Sequence, residues 1–247
     1  MRRTDVGPVA RLTLSRPEKL NAINAAMLRD LRSELEEIAT DDSVRCVVLA
    51  GAGRSFCAGK DLSDVRGGID YDPHPDAAAI DMLEGLPQPT VGRIHGHCST
   101  GGLELALACD LLVAAEDARI GDAHARYGII PVWGMTVRLP ERVGVAAAKR
   151  MIFTSAVVSG SEAAALGLVD QAVPATELDR AVDALTEAIA SGSADTNRIV
   201  KLTLGSSPLR SARIGALEFE RIRPFGVPRD RAERLAATIR QGERARD

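Results

Sequence analysis

The run Ile94 to Val113, I-H-G-H-C-S-T-G-G-L-E-L-A-L-A-C-D-L-L-V, holds the residues whose types and spacing could do chemistry. Its loop of Gly, His, Cys, Ser and Thr turns helical at Gly101-Gly102. A helix start offers N–H groups without intrahelical acceptors and a partial positive charge. It can therefore bind an anion or stabilise a developing oxyanion, and glycine lets another group approach the backbone closely. Glu104 falls in the first turn. It is either a charge favoured by the helix dipole or a single acid held against an apolar wall, because Leu103, Leu105, Ala106, Leu107 and Ala108 make the helix almost wholly apolar.

Two neighbouring stretches invite other chemistries and do not support them. In G-A-G-R-S-F-C-A-G-K-D-L, Gly51 to Leu62, five residues separate Gly53 from Gly59-Lys60 where a phosphate loop has four. Asp61 stands where that loop needs a Ser or Thr for magnesium, and the dinucleotide fingerprint fails on spacing too. His95 and His97 flank Gly96 with no acidic or thiolate partner at ligand spacing except a misaligned Cys98, so no metal is expected.

The elements that must position these residues follow from periodicity. Val9 to Leu14 alternates as a strand, closed by Ser15-Arg16-Pro17. Asn24 reads as the N-cap of a helix with Leu28, Leu31, Leu35 and Ile38 on one face. Cys46 to Ala50 is a short buried strand, Asp64 to Pro75 a polar surface loop with His74 exposed, and Asp76 to Leu86 a short helix. Thr90 to Ile94 is the strand before the central loop. Strands are expected at Asp110–Ala115 and Ala118–Gly121, with loop and turn residues around His124. Arg138 to Gly144 leads into a helix over Val145–Phe153. Ser161 caps a helix that Gly167 ends, and Leu168–Val173 is a strand. Helices follow at Glu177–Ala190, Asn197–Leu204 and Leu209–Gln241, the last interrupted at Pro224 and Pro228. This is α/β organisation over residues 1–174 with a helical region over 175–247.

Composition narrows the class. The 247 residues are 45% hydrophobic and 26% charged with net charge −3, enough for a substantial core and no polyanion-binding surplus. The Arg-rich end alternates with Glu and Asp, a solvated helix face and not a nucleic-acid patch. No window has the apolar length of a membrane span, and Met-Arg-Arg-Thr-Asp at the start has no apolar run behind it. Cys46, Cys57, Cys98 and Cys109 lack C-x-x-C spacing and read as buried or loop thiols of a reducing cytoplasm.

Four stretches together resemble the crotonase (enoyl-CoA hydratase/isomerase) superfamily: K-L-N-A-I-N (Lys19 to Asn24), S-F-C-A-G-K-D-L (Ser55 to Leu62), G-H-C-S-T-G-G-L-E-L-A-L-A-C-D-L (Gly96 to Leu111) and E-A-A-A-L-G-L-V-D-Q-A-V-P (Glu162 to Pro174). The resemblance implies a spiral of β-β-α turns with a C-terminal helical trimerisation region, as a homotrimer or dimer of trimers. It also implies an acyl-CoA thioester as the bound partner, with coenzyme A carried by the substrate and no further cofactor. By the same comparison two backbone N–H groups, at Lys60 and Gly101, would hold the thioester oxygen of an enolate. The CoA arm would lie along Lys19, Ala22, Ala58, Asp61 and Leu62, with basic residues free to meet its phosphates.

Family hydratases commonly add water across a 2-enoyl-CoA with two glutamates. Glu104 matches the first, whereas the second falls at His124. An imidazole titrates near neutrality and an ionised Glu favours its charged form, so a basic Glu104 beside an acid His124 is self-consistent. A loop histidine bonded to backbone is the competing account of His124. Val132 follows Pro131 where the family often has glycine, and with Trp133 it is expected to wall the acyl pocket, unless both are core packing. The expected activity is that of an enoyl-CoA hydratase-like lyase. Alternatives are another reaction on the same oxyanion hole (isomerase, hydrolase, decarboxylase, dehalogenase) or a non-catalytic acyl-CoA binder.

Overall fold

A computed structural model describes residues 1–61, 72–205, 209–223, 226, 228 and 230–244. Leu62 and most of the loop expected at Asp64–Pro75 lie outside the described residues. In chain order the elements are β1 (Arg2–Val6), β2 (Val9–Leu14), α1 (Ala25–Ala39), β3 (Cys46–Gly51), α2 (His74–Gly85), β4 (Thr90–Ile94) and β5 (His97–Ser99). Then come α3 (Gly101–Leu107), β6 (Leu111–Ala115), β7 (Arg119–Gly121), α4 (His124–Tyr127), α5 (Met135–Thr154), β8 (Val157–Ser159), α6 (Gly160–Ala165) and β9 (Gln171–Val173). The chain continues with α7 (Leu178–Ser191), α8 (Ala194–Gly205), α9 (Leu209–Arg221) and α10 (Arg231–Arg244).

Among the described residues two sheets organise the chain. The larger has the order β1-β2-β3-β4-β6-β9, parallel throughout except for the β1–β2 hairpin. Its inner strands are buried on both faces, which is why Cys46–Leu49 is a continuous apolar run and not an alternating one. The smaller sheet runs β5-β7-β8 and is extended by a parallel bridge from Cys57 to Cys98. The chain therefore visits the large sheet, then the small one, then a helix, and repeats: β4, β5, α3; β6, β7, α4. This is the β-β-α spiral that the four stretches implied.

The ladder of the small sheet sets the geometry that matters. Cys57 pairs with Cys98, and Cys98 with Ile120. Three residues beyond these positions come Lys60, Gly101 and Ala123, the last immediately before His124. Successive turns of the spiral thus bring the three candidate segments to the same end of the small sheet.

Several local expectations are corrected. His97–Ser99 is a strand and not loop, because Cys57 and Ile120 offer it partners on both sides. His124 lies on the short helix α4 and not in an irregular loop. Helical structure begins at Met135, ten residues before the expected start at Val145. Pro140 and Gly144 suggested breaks, and Gly144 (φ 75°) does interrupt α5, but the segment before it is helical. Ser159, not Ser161, caps α6, through a reciprocal capping box with Glu162. The chain bends through Leu168–Asp170, so of that stretch Gln171–Val173 forms the strand. Strand β1 was not anticipated; Gly7 (φ 55°) makes the hairpin that pairs it. Asn24 caps α1 as expected, accepting from the Met27 N–H at 2.9 Å.

Glycine 102 shows how closely the spiral's turns pack. A Cβ there would lie 2.5 Å from the Cys57 carbonyl oxygen, which is backbone and cannot swing aside. Gly215, on α9, has nothing within 4 Å of the same added atom. Gly102→Ala should lower stability by about 1–3 kcal/mol through overpacking. Gly215→Ala should raise it by up to about 1 kcal/mol through helix propensity. Thermal melts of the two variants check this, and a shift of the same sign in both would contradict it.

Candidate active site

Lys60 and Gly101 are backbone neighbours. The Ile23–Lys60 bridge is closed by the Ile23 N–H on the Gly59 carbonyl and the Asp61 N–H on the Ile23 carbonyl, both 2.8 Å. In a parallel bridge of this kind the amide of the middle residue points to the opposite edge. There it meets the start of α3: a Cβ on Gly101 would stand 3.3 Å from the Lys60 nitrogen. Gly101 is the first residue of its helix, where the N–H has no acceptor within the helix.

The two loops are interlocked just before these residues. Gly59 takes φ 109°, and a Cβ on it would come 2.8 Å from the Thr100 hydroxyl oxygen. Thr100 itself has φ 50° and ψ −118°. A β-branched residue rarely adopts such a backbone, at a cost of about 1–3 kcal/mol. The Thr100 N–H donates to the Gly121 carbonyl (3.1 Å) and its carbonyl accepts from the Glu104 N–H (2.9 Å), which holds the turn.

Glu104 lies one helical turn beyond Gly101 and is buried. Its Oε1 accepts the N–H groups of Trp133 (2.9 Å) and Met135 (3.2 Å), and its Oε2 faces His124 Nε2 at 3.7 Å. Burial pushes the Glu104 carboxyl up to about 7, against the downward pull of His124. At 3.7 Å the pair is beyond a direct hydrogen bond but close enough for both to reach one small molecule.

His124 is buried with its Nδ1 hydrogen-bonded to the Asp122 carboxylate, which can only accept, so Nδ1 carries a proton. Burial alone would lower the imidazole's pKa; the Asp122 hydrogen bond and the Glu104 charge outweigh it, and the net direction is upward. Asp122, His124 and Glu104 thus form a buried acid–imidazole–acid row. The account of His124 as a loop residue bonded to backbone through its ring does not hold.

The remaining candidates divide. The Trp133 ring is buried against Gly101, with its ring carbon Cζ3 2.7 Å from where a Cβ would be, and Val132 beside it is half-buried. The Lys60 Nζ pairs with Asp76 at 2.7 Å and lies 5.2 Å from the centre of the Trp133 ring. Asp61 is buried and paired to Arg16 at 2.9 Å, so two of the basic groups along this edge are already engaged by carboxylates. Lys19 is exposed, and Ala22 and Ala58 are half-buried along the same edge. Among the described residues no group of three or more His, Cys, Asp or Glu side chains is arranged to hold a metal.

Two contributors escaped the sequence reading. Asp122 carried a local signal, the D-x-H spacing at the end of a strand, that was not used. Glu220 carried none: it accepts from the Gly134 N–H (2.6 Å) across 86 residues, and from the Thr136 N–H (2.8 Å) and hydroxyl.

Known proteins resemble this chain over most of its length. The family model for enoyl-CoA hydratase/isomerase matches residues 5–222. A probable peroxisomal enoyl-CoA hydratase of Arabidopsis thaliana is 37% identical, the match covering 74% of this chain and 69% of that protein. A putative enoyl-CoA hydratase/isomerase of Bacillus subtilis is 35% identical over 93% of this chain and 90% of its own. Among solved structures, an enoyl-CoA hydratase from Mycobacterium avium superposes with a TM-score of 0.79 at 36% identity, covering 90% of this chain and 93% of that one. The chain belongs to the enoyl-CoA hydratase/isomerase family.

Proposed function

We propose that the protein adds water to a 2-enoyl-CoA thioester, giving the 3-hydroxyacyl-CoA, and that no cofactor beyond the substrate's own coenzyme A takes part. The observation that carries the reading is the facing pair of buried groups, Glu104 Oε2 and His124 Nε2 at 3.7 Å, beside the neighbouring backbones of Lys60 and Gly101. Hydration needs a base that removes a proton from water as its oxygen bonds to C3, an acid that delivers a proton to C2, and stabilisation of the thioester oxygen in between. Glu104 takes the water's proton. The His124 imidazolium gives its Nε2 proton to C2. The Lys60 and Gly101 N–H groups bear the enolate charge, and proton return from Glu104 to His124 resets the pair.

The same reading assigns Lys19, Ala22, Ala58, Asp61 and Leu62 to the CoA arm, and Val132 and Trp133 to the acyl wall. Assembly as a homotrimer or pair of trimers is supported by apolar side chains left exposed, Val145 and Phe153 on α5, Ile199 and Leu204 on α8 and Phe219 on α9. A reducing, cytoplasmic setting is supported by four free, buried cysteines. Among the described residues no helix is long and apolar enough to cross a membrane.

Purified protein incubated with crotonyl-CoA should bleach the conjugated thioester absorbance. Glu104→Gln should lower that rate by about 10²–10⁴, the usual worth of a positioned acid or base. Equal inertness of wild type and Glu104→Gln on short and long enoyl-CoAs would remove hydration from consideration.

The pH dependence has a defined sign. Glu104 works ionised, so kcat/KM should rise with pH through about 7, the value to which burial lifts it. His124 works protonated, so activity should fall on an alkaline limb above the ordinary histidine range, because its pKa is raised. Asp122→Asn removes the hydrogen-bonded charge behind the ring and should bring the alkaline limb to lower pH. A profile flat through neutrality, or an alkaline limb that Asp122→Asn leaves in place, would contradict the assignment.

A further inference from the structure

The start of α5 presents consecutive N–H groups, from Trp133 to Thr136, that a helix cannot satisfy internally. Two buried carboxylates divide them in alternation. Glu104 Oε1 takes Trp133 and Met135, and Glu220 takes Gly134 and Thr136. Glu220 also accepts the Thr136 hydroxyl, and Gly134 turns through φ 102° to permit the arrangement. The helix that carries Glu220 is fastened in turn. Arg213 pairs with Glu84 and with Glu141 (2.7 Å), and Arg221, itself steadied by Glu218 of the same helix, pairs with Asp81. Buried Arg138 joins the same group, reaching Asp81 (2.8 Å), Glu84 (3.0 Å) and the Trp133 carbonyl (2.5 Å).

We infer that Glu220 is a positioning residue for the reaction: by fixing the Trp133–Thr136 amides it sets the carboxylate of Glu104 with one oxygen held and the other turned to His124. The inference rests on the reading of Glu104 as the group that takes a proton from water. It gives the C-terminal helix α9 a part in the chemistry through the Gly134 and Thr136 amides that Glu220 holds. Glu220 also acts through its charge. The groups that bear electrostatically on Glu104 are His124 from α4, Asp122 from the end of β7 and Glu220 from α9; the two carboxylates favour its protonated form and the imidazole opposes it. On the α5 side the Arg138 guanidinium sits on the Trp133 carbonyl, and the Lys60 ammonium lies over the Trp133 ring.

The test uses the full-length protein and two variants. Glu220→Gln removes the charge and one acceptor oxygen; Glu220→Asp keeps the charge and withdraws the carboxylate by one methylene. Both should lower kcat on crotonyl-CoA by about 10- to 100-fold, the scale of small misplacements of a reacting group, while KM stays within about twofold. Only Glu220→Gln should move the acid limb of kcat/KM to lower pH, since only it removes a negative neighbour. The same shift is read without turnover by infrared titration of the Glu104 carboxyl band, identified by its loss in Glu104→Gln. An unmoved Glu104 midpoint in folded Glu220→Gln, an equal shift in Glu220→Asp, or kcat unchanged in both variants would overturn the inference. An inert wild type whose Glu104 midpoint still shifts in Glu220→Gln would instead count against the hydration reading and leave the coupling standing.

Discussion

The site depends on register in a very small sheet. Cys57, Cys98 and Ile120 are aligned by the Cys57–Cys98 bridge and the β5–β7 pairing, and the chain leaves each in the same direction. Because strand pairing leaves no freedom along the strand, the residues a fixed number of steps later must meet. Lys60, Gly101 and the segment opening on His124 are brought together in this way. No contact among their side chains is required to assemble them. The large sheet supplies the wall from which those short strands depart, with the residues of β3 and β6 almost all buried.

Placing charge in such a site is costly unless each group is compensated, and the compensation here is layered. Glu104 has two main-chain N–H groups and an imidazole; His124 has a carboxylate on each side; Asp122 has the His124 ring on Oδ1, while its buried Oδ2 has no hydrogen-bond partner among the described residues. What is left over is a carboxyl held near neutrality by burial, and groups poised in this way are the ones suited to moving protons at ordinary pH. The composition, with its slight net negative charge, gave no sign of this concentration of buried ionisable groups.

Sequence reading reached the α/β order, the central helix at Gly101, the Asn24 cap and the pairing of Glu104 with His124, because each leaves a local mark: a period, a cap residue or a motif. It stopped where the decisive partner is remote. Nothing around Glu220 distinguishes it from other acids on an amphipathic helix, and its role becomes visible only when Gly134 and Thr136 are placed against it. The helical start at Met135 was hidden for a related reason. Pro140 and Gly144 look like breakers locally, while the carboxylates that satisfy the first amides of that helix come from α3 and α9. His97–Ser99 reads as loop from residue types alone, since three residues carry too short a pattern to show strand alternation.

The interlock of Gly59 with Thr100 has an evolutionary side. Position 59 tolerates no side chain because its φ of 109° lies in the region that favours glycine and a Cβ would meet both the Thr100 hydroxyl (2.8 Å) and the Ser99 carbonyl (3.1 Å), while residue 100 sits in a backbone conformation glycine would occupy with less strain. Replacing Thr100 would remove the hydroxyl but leave the Ser99 carbonyl and the left-handed φ at 59 in place, so the demand for glycine at 59 outlasts any change at 100.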